Sequence, residues 1–485
     1  MNRLRVTSSF VARFSLVCVV AIGVAFNIGA GGGADGGGSN GGGGCFVVGG
    51  AARAEEPTNK TRVDGNRLNY LDAPLDPYYP HRTFPKLTTP QWVGKPGVEC
   101  VVTLGIDDMR DPVKYETFFR PILERLKKID GRAPVSVMTC NVKPDDPIVA
   151  KWLSEGLSIE CHTVDHPCPC LQGGDFAKAA STYHRCVDLM HEIPGNRPVA
   201  FRMPCCDSLN TPSPRFWAEI FNKTTEKGRF LQIDTSVFNI ITTADETLPR
   251  ELRYNEEGQS RFKRYIPFPS FVNTIEDYPY PYIIGGACWE FPCVVPSDWS
   301  AQHVQKPNNP DTVRDLKLAL DATVLKQGTF NLVFHPHGWI RAEQIIELID
   351  HAQAKHGDKV LFLTFAECLE RLNKHLLGGR PLRNADGSSS GAMLADLNDD
   401  GYLDVIQLGP AATAAGGRAA VGATPADNSN TDNSNSGATS AAAKTATLTP
   451  GSSPTATKPL GRLARIWSPT DKSWSSFSST VMSPH

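Results

Sequence analysis

The fold is indicated by one stretch, Ser158-Ile159-Glu160-Cys161-His162-Thr163-Val164-Asp165-His166, in which a short β-branched run leads directly into two histidines. An apolar run of this length predicts a buried strand, and the residues after it predict the loop at its carboxyl end. Two imidazoles four residues apart, those of His162 and His166, can bind one divalent metal ion. The stretch therefore predicts a strand that ends at a metal site.

Similar apolar runs alternate with amphipathic helical patterns along the middle of the chain. Seven strands are predicted, at 101–106, 134–140, 157–162, 198–202, 230–234, 329–335 and 359–364. Helices are predicted between them, among others from the N-cap Asp111 to Gly131 and at 175–193, 311–327 and 341–356. This alternation favours an α/β fold, a closed or nearly closed (β/α)7 barrel, rather than a doubly wound sheet. The interval 236–310 is predicted to be a long insertion.

The segment before the barrel differs from it in composition. Residues 1–54 are typical of a secretory signal with a glycine-rich leader: arginines precede a short apolar run at 14–26, and Ala52-Arg53-Ala54 resembles a cleavage site. An uncleaved anchor with a flexible linker is the alternative. We expect a protein that is secreted, periplasmic or on the cell surface, without a stable membrane span. Residues 55–98 are predicted to form an extended N-terminal arm.

The charge of the chain and its cysteine content indicate which binding partners and which cellular compartment to expect. Lysine plus arginine (49) nearly balances aspartate plus glutamate (51), so the formal charge is −2 and a nucleic-acid partner is not expected. The 13 cysteines fit an oxidising compartment. Two of them precede residue 55, which leaves an odd number, so at least one thiol is free or pairs with another chain. Cys288 and Cys293 are close enough in sequence for a local bridge, but the connectivity stays open.

Residues 378–485 are predicted to be a small β-type appendage, interrupted by a low-complexity segment at 410–459. The appendage begins with a D-x-N-x-D-G-x-x-D pattern whose oxygens suit calcium, supplied by Asp396, Asn398, Asp400 and Asp404. Strands rather than helices are predicted on both sides, at 392–394 and 405–408. The loop therefore resembles the FG-GAP repeat of calcium-binding β-propellers, with an acidic turn without metal as the alternative. A single repeat cannot close a propeller, so it is either docked on the barrel or part of a longer protein.

Polar residues stand at the carboxyl ends of five of the predicted barrel strands. β/α barrels gather their catalytic groups at this rim, so these side chains are expected to meet. They are Asp107, Asp108, His162, Arg202, Asp234 and His335.

The order of these residues resembles the polysaccharide deacetylase family of carbohydrate esterases, over roughly residues 99–377. The motifs are Asp107-Asp108, then His162-Thr163-Val164-Asp165-His166, then Arg202-Met203-Pro204, then Leu332-Val333-Phe334-His335. The resemblance implies a deformed barrel that uses one divalent metal, most often zinc, to hydrolyse the N-acetyl group of an amino sugar. It also implies the roles in the site. Asp108, His162 and His166 would hold the metal, Asp107 would be the general base, Arg202 would orient that base, and His335 would be the general acid.

The chemistry suits these residue types. Amide hydrolysis needs an activated water, a polarised carbonyl and a protonated leaving amine, and a metal on two histidines and an aspartate supplies the first two. The sequence departs from the family pattern at Met109, where glycine is usual, and at Cys205, where an aromatic residue is common. Asp234 lacks the tryptophan that usually follows the aspartate of the fourth motif, although it could still brace Arg202. His337 is a rival to His335 as the acid.

Other interpretations of the same residues were weighed. Five cysteines near the motifs could form a structural zinc site, but a single residue between Cys168 and Cys170 suits one tetrahedral ion poorly, so disulfide pairing or packing is favoured. The favoured function is a secreted, metal-dependent hydrolase acting on an N-acetylated polysaccharide or oligosaccharide. A glycan-binding or adhesive protein without turnover is the alternative, and a third possibility is a non-sugar amide or ester substrate. The presence of both Asp107 and His335 favours the enzyme, because binding alone needs neither a base nor an acid.

Overall fold

The structure, a computed structural model, describes residues 77–168, 170, 175–205, 212–266, 274–410 and 460–480. The predicted leader at 1–54, most of the predicted arm and nearly all of the low-complexity segment lie outside these described residues. Across the described ranges, no helix has both the length and the apolar character that a membrane crossing requires.

The described residues form sixteen strands. In chain order they are β1 (Cys100–Met109), β2 (Ser136–Thr139), β3 (Ser158–Cys161), β4 (Ala200–Phe201), β5 (Ile233–Asp234), β6 (Phe238–Ile240), β7 (Thr274–Glu276), β8 (Tyr282–Ile284), β9 (Cys288–Glu290), β10 (Cys293–Val294), β11 (Thr329–Phe334), β12 (Val360–Phe362), β13 (Met393–Ala395), β14 (Asp404–Pro410), β15 (Leu460–Ser468) and β16 (Ser473–Thr480).

Helices alternate with many of these strands. They are α1 (Thr89–Trp92), α2 (Pro112–Asp130), α3 (Pro147–Ser154), α4 (Phe176–Glu192), α5 (Pro214–Phe216), α6 (Arg250–Arg253), α7 (Asp298–Val304), α8 (Pro310–Leu325), α9 (Ala342–His356) and α10 (Phe365–Arg371). Short π-helical turns follow α5 and α10, at Trp217–Phe221 and Leu372–Leu376.

Strands β1 to β12 form one curled sheet, a half-barrel. Its order is β7-β6-β10-β11-β1-β2-β3-β4-β5-β9-β8, and β12 pairs with the start of β1. Neighbouring strands are parallel except for β8 and β9. The predicted α/β fold with its deformed barrel is confirmed. All seven predicted strands are present, as β1, β2, β3, β4, β5, β11 and β12.

The long segment predicted as an insertion, 236–310, lies between β5 and α8 and adds strands to the same sheet. It supplies β6, β7 and β10, which extend the sheet beyond β11, and β8 and β9, which extend it beyond β5. These strands are only two or three residues long. Strands this short carry no alternating pattern, which is why no strands were predicted within this insertion.

The helix boundaries follow the predicted capping residues. Asp111 precedes α2 and its carboxylate accepts hydrogen bonds from the amides of Val113 and Lys114 at 3.1 and 3.2 Å. Gly131 ends the helix in the left-handed region with φ of 86°. The outer helices pack pairwise, α2 on α9 and α9 on α8, and the core between helices and sheet is apolar.

The C-terminal strands form a second, antiparallel sheet in the order β13-β14-β15-β16. The predicted strands at 392–394 and 405–408 correspond to β13 and β14. This sheet is docked on the half-barrel through buried polar contacts. The Gln91 amide donates to the Leu403 carbonyl at 2.8 Å, and the Trp474 indole donates to the Gln91 carbonyl at 2.9 Å. Leu394 and Val405 share an apolar cluster with residues of α10.

Candidate active site

A backbone irregularity at the end of β1 brings two consecutive carboxylates to the rim. The pairing of β1 with β2 shifts register between Ile106 and Met109, and Asp108 has φ of 68°. Consecutive side chains of a regular strand face opposite sides of the sheet, whereas a bulge redirects one of them. Asp107 and Asp108 can therefore both serve one site.

Asp108 meets two imidazoles from the loop after β3. Its Oδ1 lies 2.6 Å from His166 Nε2 and 3.2 Å from His162 Nε2. Ligand atoms of the three residues all lie within 4.8 Å of one another. His162 is buried, whereas His166 is partly exposed, so solvent reaches one side of the cluster.

The tautomer of His162 is fixed by its other ring nitrogen. Nδ1 lies 2.8 Å from the carbonyl oxygen of Arg202, and because a carbonyl only accepts, Nδ1 must carry the hydrogen. In the neutral imidazole the lone pair of Nε2 then faces the Asp108 carboxylate. The Nε2 lone pair and the carboxylate repel each other unless a positive charge, from a proton or a metal ion, lies between them. Two imidazoles and one carboxylate, with one ring oriented by a backbone carbonyl, are a donor set that fits zinc.

A third histidine, His337, binds the other oxygen of Asp108. Its Nε2 lies 2.8 Å from Asp108 Oδ2, and its Nδ1 lies 3.2 Å from Lys114 Nζ. An ammonium group only donates, so Nδ1 accepts and Nε2 carries the hydrogen that is donated to Asp108. Burial opposes ionisation of Asp108, but its interactions with the imidazoles of His162, His166 and His337 outweigh it and hold the pKa of this carboxyl well below its usual range.

Asp107 forms a buried ion pair with Arg202, which follows β4. The distance between Arg202 Nη1 and Asp107 Oδ1 is 2.6 Å, and both side chains are almost inaccessible to solvent. Arg202 also donates from Nε to the Thr235 carbonyl at 3.0 Å and from Nη2 to Asn331 Oδ1 at 3.2 Å. A buried ion pair needs such additional hydrogen bonds to offset its desolvation.

Gly105 on β1 makes room for this guanidinium. A Cβ at position 105 would lie 2.6 Å from Arg202 Nη1. A side chain there would have to displace a buried, fully engaged arginine, so glycine at this strand position permits a close approach.

His335 follows β11 and is held by Asp298, the first residue of α7. Its backbone amide and its Nδ1 lie 2.7 and 2.8 Å from the two oxygens of Asp298. Burial disfavours the imidazolium, but the Asp298 carboxylate outweighs this, and together with Asp107 and Asp108 it raises the pKa of His335 to about 10. Asp298 was not among the residues predicted from the sequence. The signal was present, however, because Asp298 is followed by Trp299, the pair whose absence was noted at Asp234.

Asp234 does not brace Arg202 as expected; its neighbour Thr235 does so. The carboxylate of Asp234 accepts hydrogen bonds from Trp217 Nε1 at 2.8 Å, from Ser236 Oγ at 2.6 Å and from the Thr235 amide at 2.9 Å. Burial raises the pKa of Asp234. Its contacts are those of a residue that anchors the end of β5.

The cysteines near the motifs pair or pack. Cys168 and Cys205 form a disulfide that joins the loop after His166 to the loop after Arg202. Cys161 is a buried free thiol, Cys170 is buried, and Cys206 lies outside the described residues. Cys288 and Cys293 are also free thiols, so the local bridge considered for them is not formed.

The predicted calcium loop lies between β13 and β14. Asp396 accepts hydrogen bonds from the amides of Asp400 and Gly401, at 3.1 and 2.7 Å. Asn398 donates to Asp400 at 3.0 Å. Asp404 is buried, and its two oxygens accept from the backbone amides of residues 397 and 467. Several of the oxygens expected to bind calcium thus stabilise the turn itself.

Comparison with known proteins gives a family match over part of the chain. Residues 94–212 match the family described as polysaccharide deacetylase. This range contains Asp107, Asp108, His162, His166 and Arg202. The sequence matches no curated protein.

Solved structures that resemble the chain include several bacterial deacetylases. A peptidoglycan deacetylase from Bacillus subtilis is 16% identical with a TM-score of 0.28, over 57% of this chain and 91% of its own. The catalytic domain of a peptidoglycan N-acetylglucosamine deacetylase from Eubacterium rectale is 14% identical with a TM-score of 0.31, over 56% and 90%. A polysaccharide deacetylase from Bacillus cereus is 15% identical with a TM-score of 0.28, over 55% and 90%. These values are too low to assign an activity.

Proposed function

We propose that this protein is a metal-dependent deacetylase that removes N-acetyl groups from an amino-sugar glycan. One observation carries the proposal. Asp107, which is buried and paired with Arg202, directly precedes Asp108. The Asp108 carboxylate contacts the imidazoles of His162 and His166. Beside them, the imidazole of His335 is held by Asp298. The match of residues 94–212 to the polysaccharide deacetylase family supports the same reaction.

Asp107 is the proposed general base. Arg202 binds its Oδ1 and fixes the orientation of the carboxylate, so that the second oxygen can take a proton from the attacking water. A divalent metal ion at Asp108, His162 and His166, with zinc expected, would polarise the acetyl carbonyl and lower the pKa of a water molecule. His337 keeps the Asp108 carboxylate in place by donating to Oδ2.

His335 is the proposed general acid, in preference to His337. Because Asp298 raises the pKa of His335 to about 10, its imidazole stays protonated at neutral pH and can donate to the departing amine. Nδ1 is engaged by Asp298, so Nε2 is the donor. The Nε2 hydrogen of His337 is already bound to Asp108, which makes this residue a poor acid.

Export and calcium binding remain parts of the proposal that rest on sequence patterns alone. The arginines and apolar run within residues 1–54 support secretion, to the medium, the periplasm or the cell surface. The spacing of Asp396, Asn398 and Asp400 supports a calcium ion in the C-terminal loop. N-terminal sequencing of the exported protein and calcium titration of the full chain test these two points separately.

The decisive experiment measures acetate release from a panel of N-acetylated glycans. Release should stop with a chelator, return on addition of zinc and be absent in the full-length His162→Ala/His166→Ala variant. Arg185→Gln, which removes an exposed ion pair with Asp165 in the same loop, is a matched control and should retain activity. A protein that binds the glycans but releases no acetate with any metal would refute the enzyme and favour the adhesive alternative.

A further inference from the structure

A second cluster of metal-ligand residues lies between helices α8 and α9. Asp321 on α8 is nearly buried, and two imidazoles from the end of α9 meet one of its oxygens. His351 Nε2 and His356 Nε2 lie 2.8 and 2.7 Å from the same atom, Asp321 Oδ1. Ligand atoms of the three residues lie within 4.8 Å of one another.

This cluster has the same composition as the cluster of Asp108, His162 and His166 in the candidate active site. In both places a single carboxylate oxygen faces the Nε2 atoms of two imidazoles, at 2.6 and 3.2 Å for Asp108. Imidazole nitrogens and a carboxylate oxygen are ligands that zinc and neighbouring transition metals prefer. The side chains are held by two packed helices, so the donors are already oriented before an ion arrives.

Lys355 determines which oxygen of Asp321 remains for an ion. Its Nζ lies 2.8 Å from Oδ2, while half of its side chain is exposed to solvent. The ammonium thus engages Oδ2, and the two imidazoles contact Oδ1. Lysine near a bound cation also repels it, so this residue should weaken metal binding at the cluster.

We propose that Asp321, His351 and His356 bind a second divalent transition-metal ion, such as zinc, which ties α8 to α9. His351 is about one-fifth exposed, so the ion has access from solvent, and water can complete its coordination. The ion is structural. Binding to the folded chain alone would stabilise it, because any ligand specific for the native state shifts the unfolding equilibrium. The cluster lies on elements other than those that carry the catalytic residues.

The test counts metal ions in the full-length protein. Wild type equilibrated with zinc should retain two equivalents, and His351→Gln/His356→Gln should retain one with unchanged acetate release. The His375→Gln variant, which alters a histidine of the π-helical turn after α10, should still retain two. Equal zinc content in wild type and in the double variant would overturn the proposal.

A second measurement isolates the site from the catalytic one. The full-length His162→Ala/His166→Ala variant, titrated with Co²⁺, should bind one equivalent with visible ligand-field absorption, and Lys355→Met should tighten this binding several-fold. Zinc should also raise its melting temperature. If this variant binds no cobalt while wild type binds one equivalent, the cluster is an ion-paired contact only. The outcome does not depend on whether the protein is a deacetylase, since only metal is measured.

Discussion

Replacing Asp298 by asparagine should remove the charge that keeps His335 protonated. The substitution preserves size and leaves one oxygen to accept from Nδ1, while the hydrogen bond from the His335 backbone amide to the second oxygen is lost. What changes is the electrostatic partner. Asp298 lies 2.8 Å from Nδ1 and raises the pKa of His335 against the opposing effect of burial.

The size of the effect follows from the two pKa values. His335 has a pKa of about 10 in the native site against 6.5 for an unperturbed histidine. This difference corresponds to roughly 5 kcal/mol in favour of the imidazolium. Asp298 contributes most of the increase, ahead of Asp107 and Asp108, so without its charge the pKa of His335 should fall toward that of an unperturbed histidine. An imidazole with a pKa of 6.5 is only about 3% protonated at pH 8, so acetate release at pH 8 should fall by up to about thirtyfold, with a smaller loss at pH 6.

The assay is the pH profile of kcat/KM with metal content measured on the same samples. Because the acid must be protonated, activity in wild type should persist up to alkaline pH and decline only near the raised pKa. In Asp298→Asn the alkaline decline should move down by several pH values at unchanged metal content, and Asp298→Glu should restore part of the profile. An alkaline limb that stays in place, or metal loss that explains the whole effect, would show that His335 is not the acid.

Four further substitutions test the rest of the site. Asp107→Asn should keep the metal and lower acetate release roughly a hundredfold or more. Asp108→Asn should instead lose metal, and its acetate release should recover in excess zinc. Equal metal loss in the two variants would contradict these roles. Gly105→Ala places a Cβ 2.6 Å from Arg202 Nη1 and should destabilise the fold by about 1–3 kcal/mol in urea unfolding, unlike Val113→Ala, which shortens a side chain that is 65% exposed. His337→Ala should weaken zinc binding roughly tenfold without changing the pH at which activity declines on the alkaline side. A change in that pH would indicate that His337 is the general acid.

The strands that build the half-barrel could be predicted because each is a buried apolar run between helical patterns. Asp107, Asp108, His162 and Arg202 were found because they end such runs. Asp298 was missed because it lies in a region whose strands are too short to show a period. Asn331 was missed because an asparagine within an apolar strand gives no sign of the arginine that it binds.

The remaining gaps concern partners that are distant in sequence. The bond between Cys168 and Cys205 could not be chosen from the sequence, since many pairings of the cysteines were open. The cluster around Asp321 was also missed. His351 and His356 stand at the end of an amphipathic helix, where basic residues commonly interact with the helix dipole, and nothing in the pattern indicates which neighbouring helix they face.

Strands β14 and β15 pair in register from Val405 with Arg465 to Pro410 with Leu460, although residues 411–459 separate them in the chain. The entropic cost of closing a loop grows only with the logarithm of its length, so replacing such a long connection by a turn of four residues would gain only about 2 kcal/mol. This hairpin can therefore accept changes in length at little cost to folding. Its tip is a natural place for sequence to be gained or lost between related proteins, and for a tag or a foreign peptide to be inserted while the half-barrel keeps its structure.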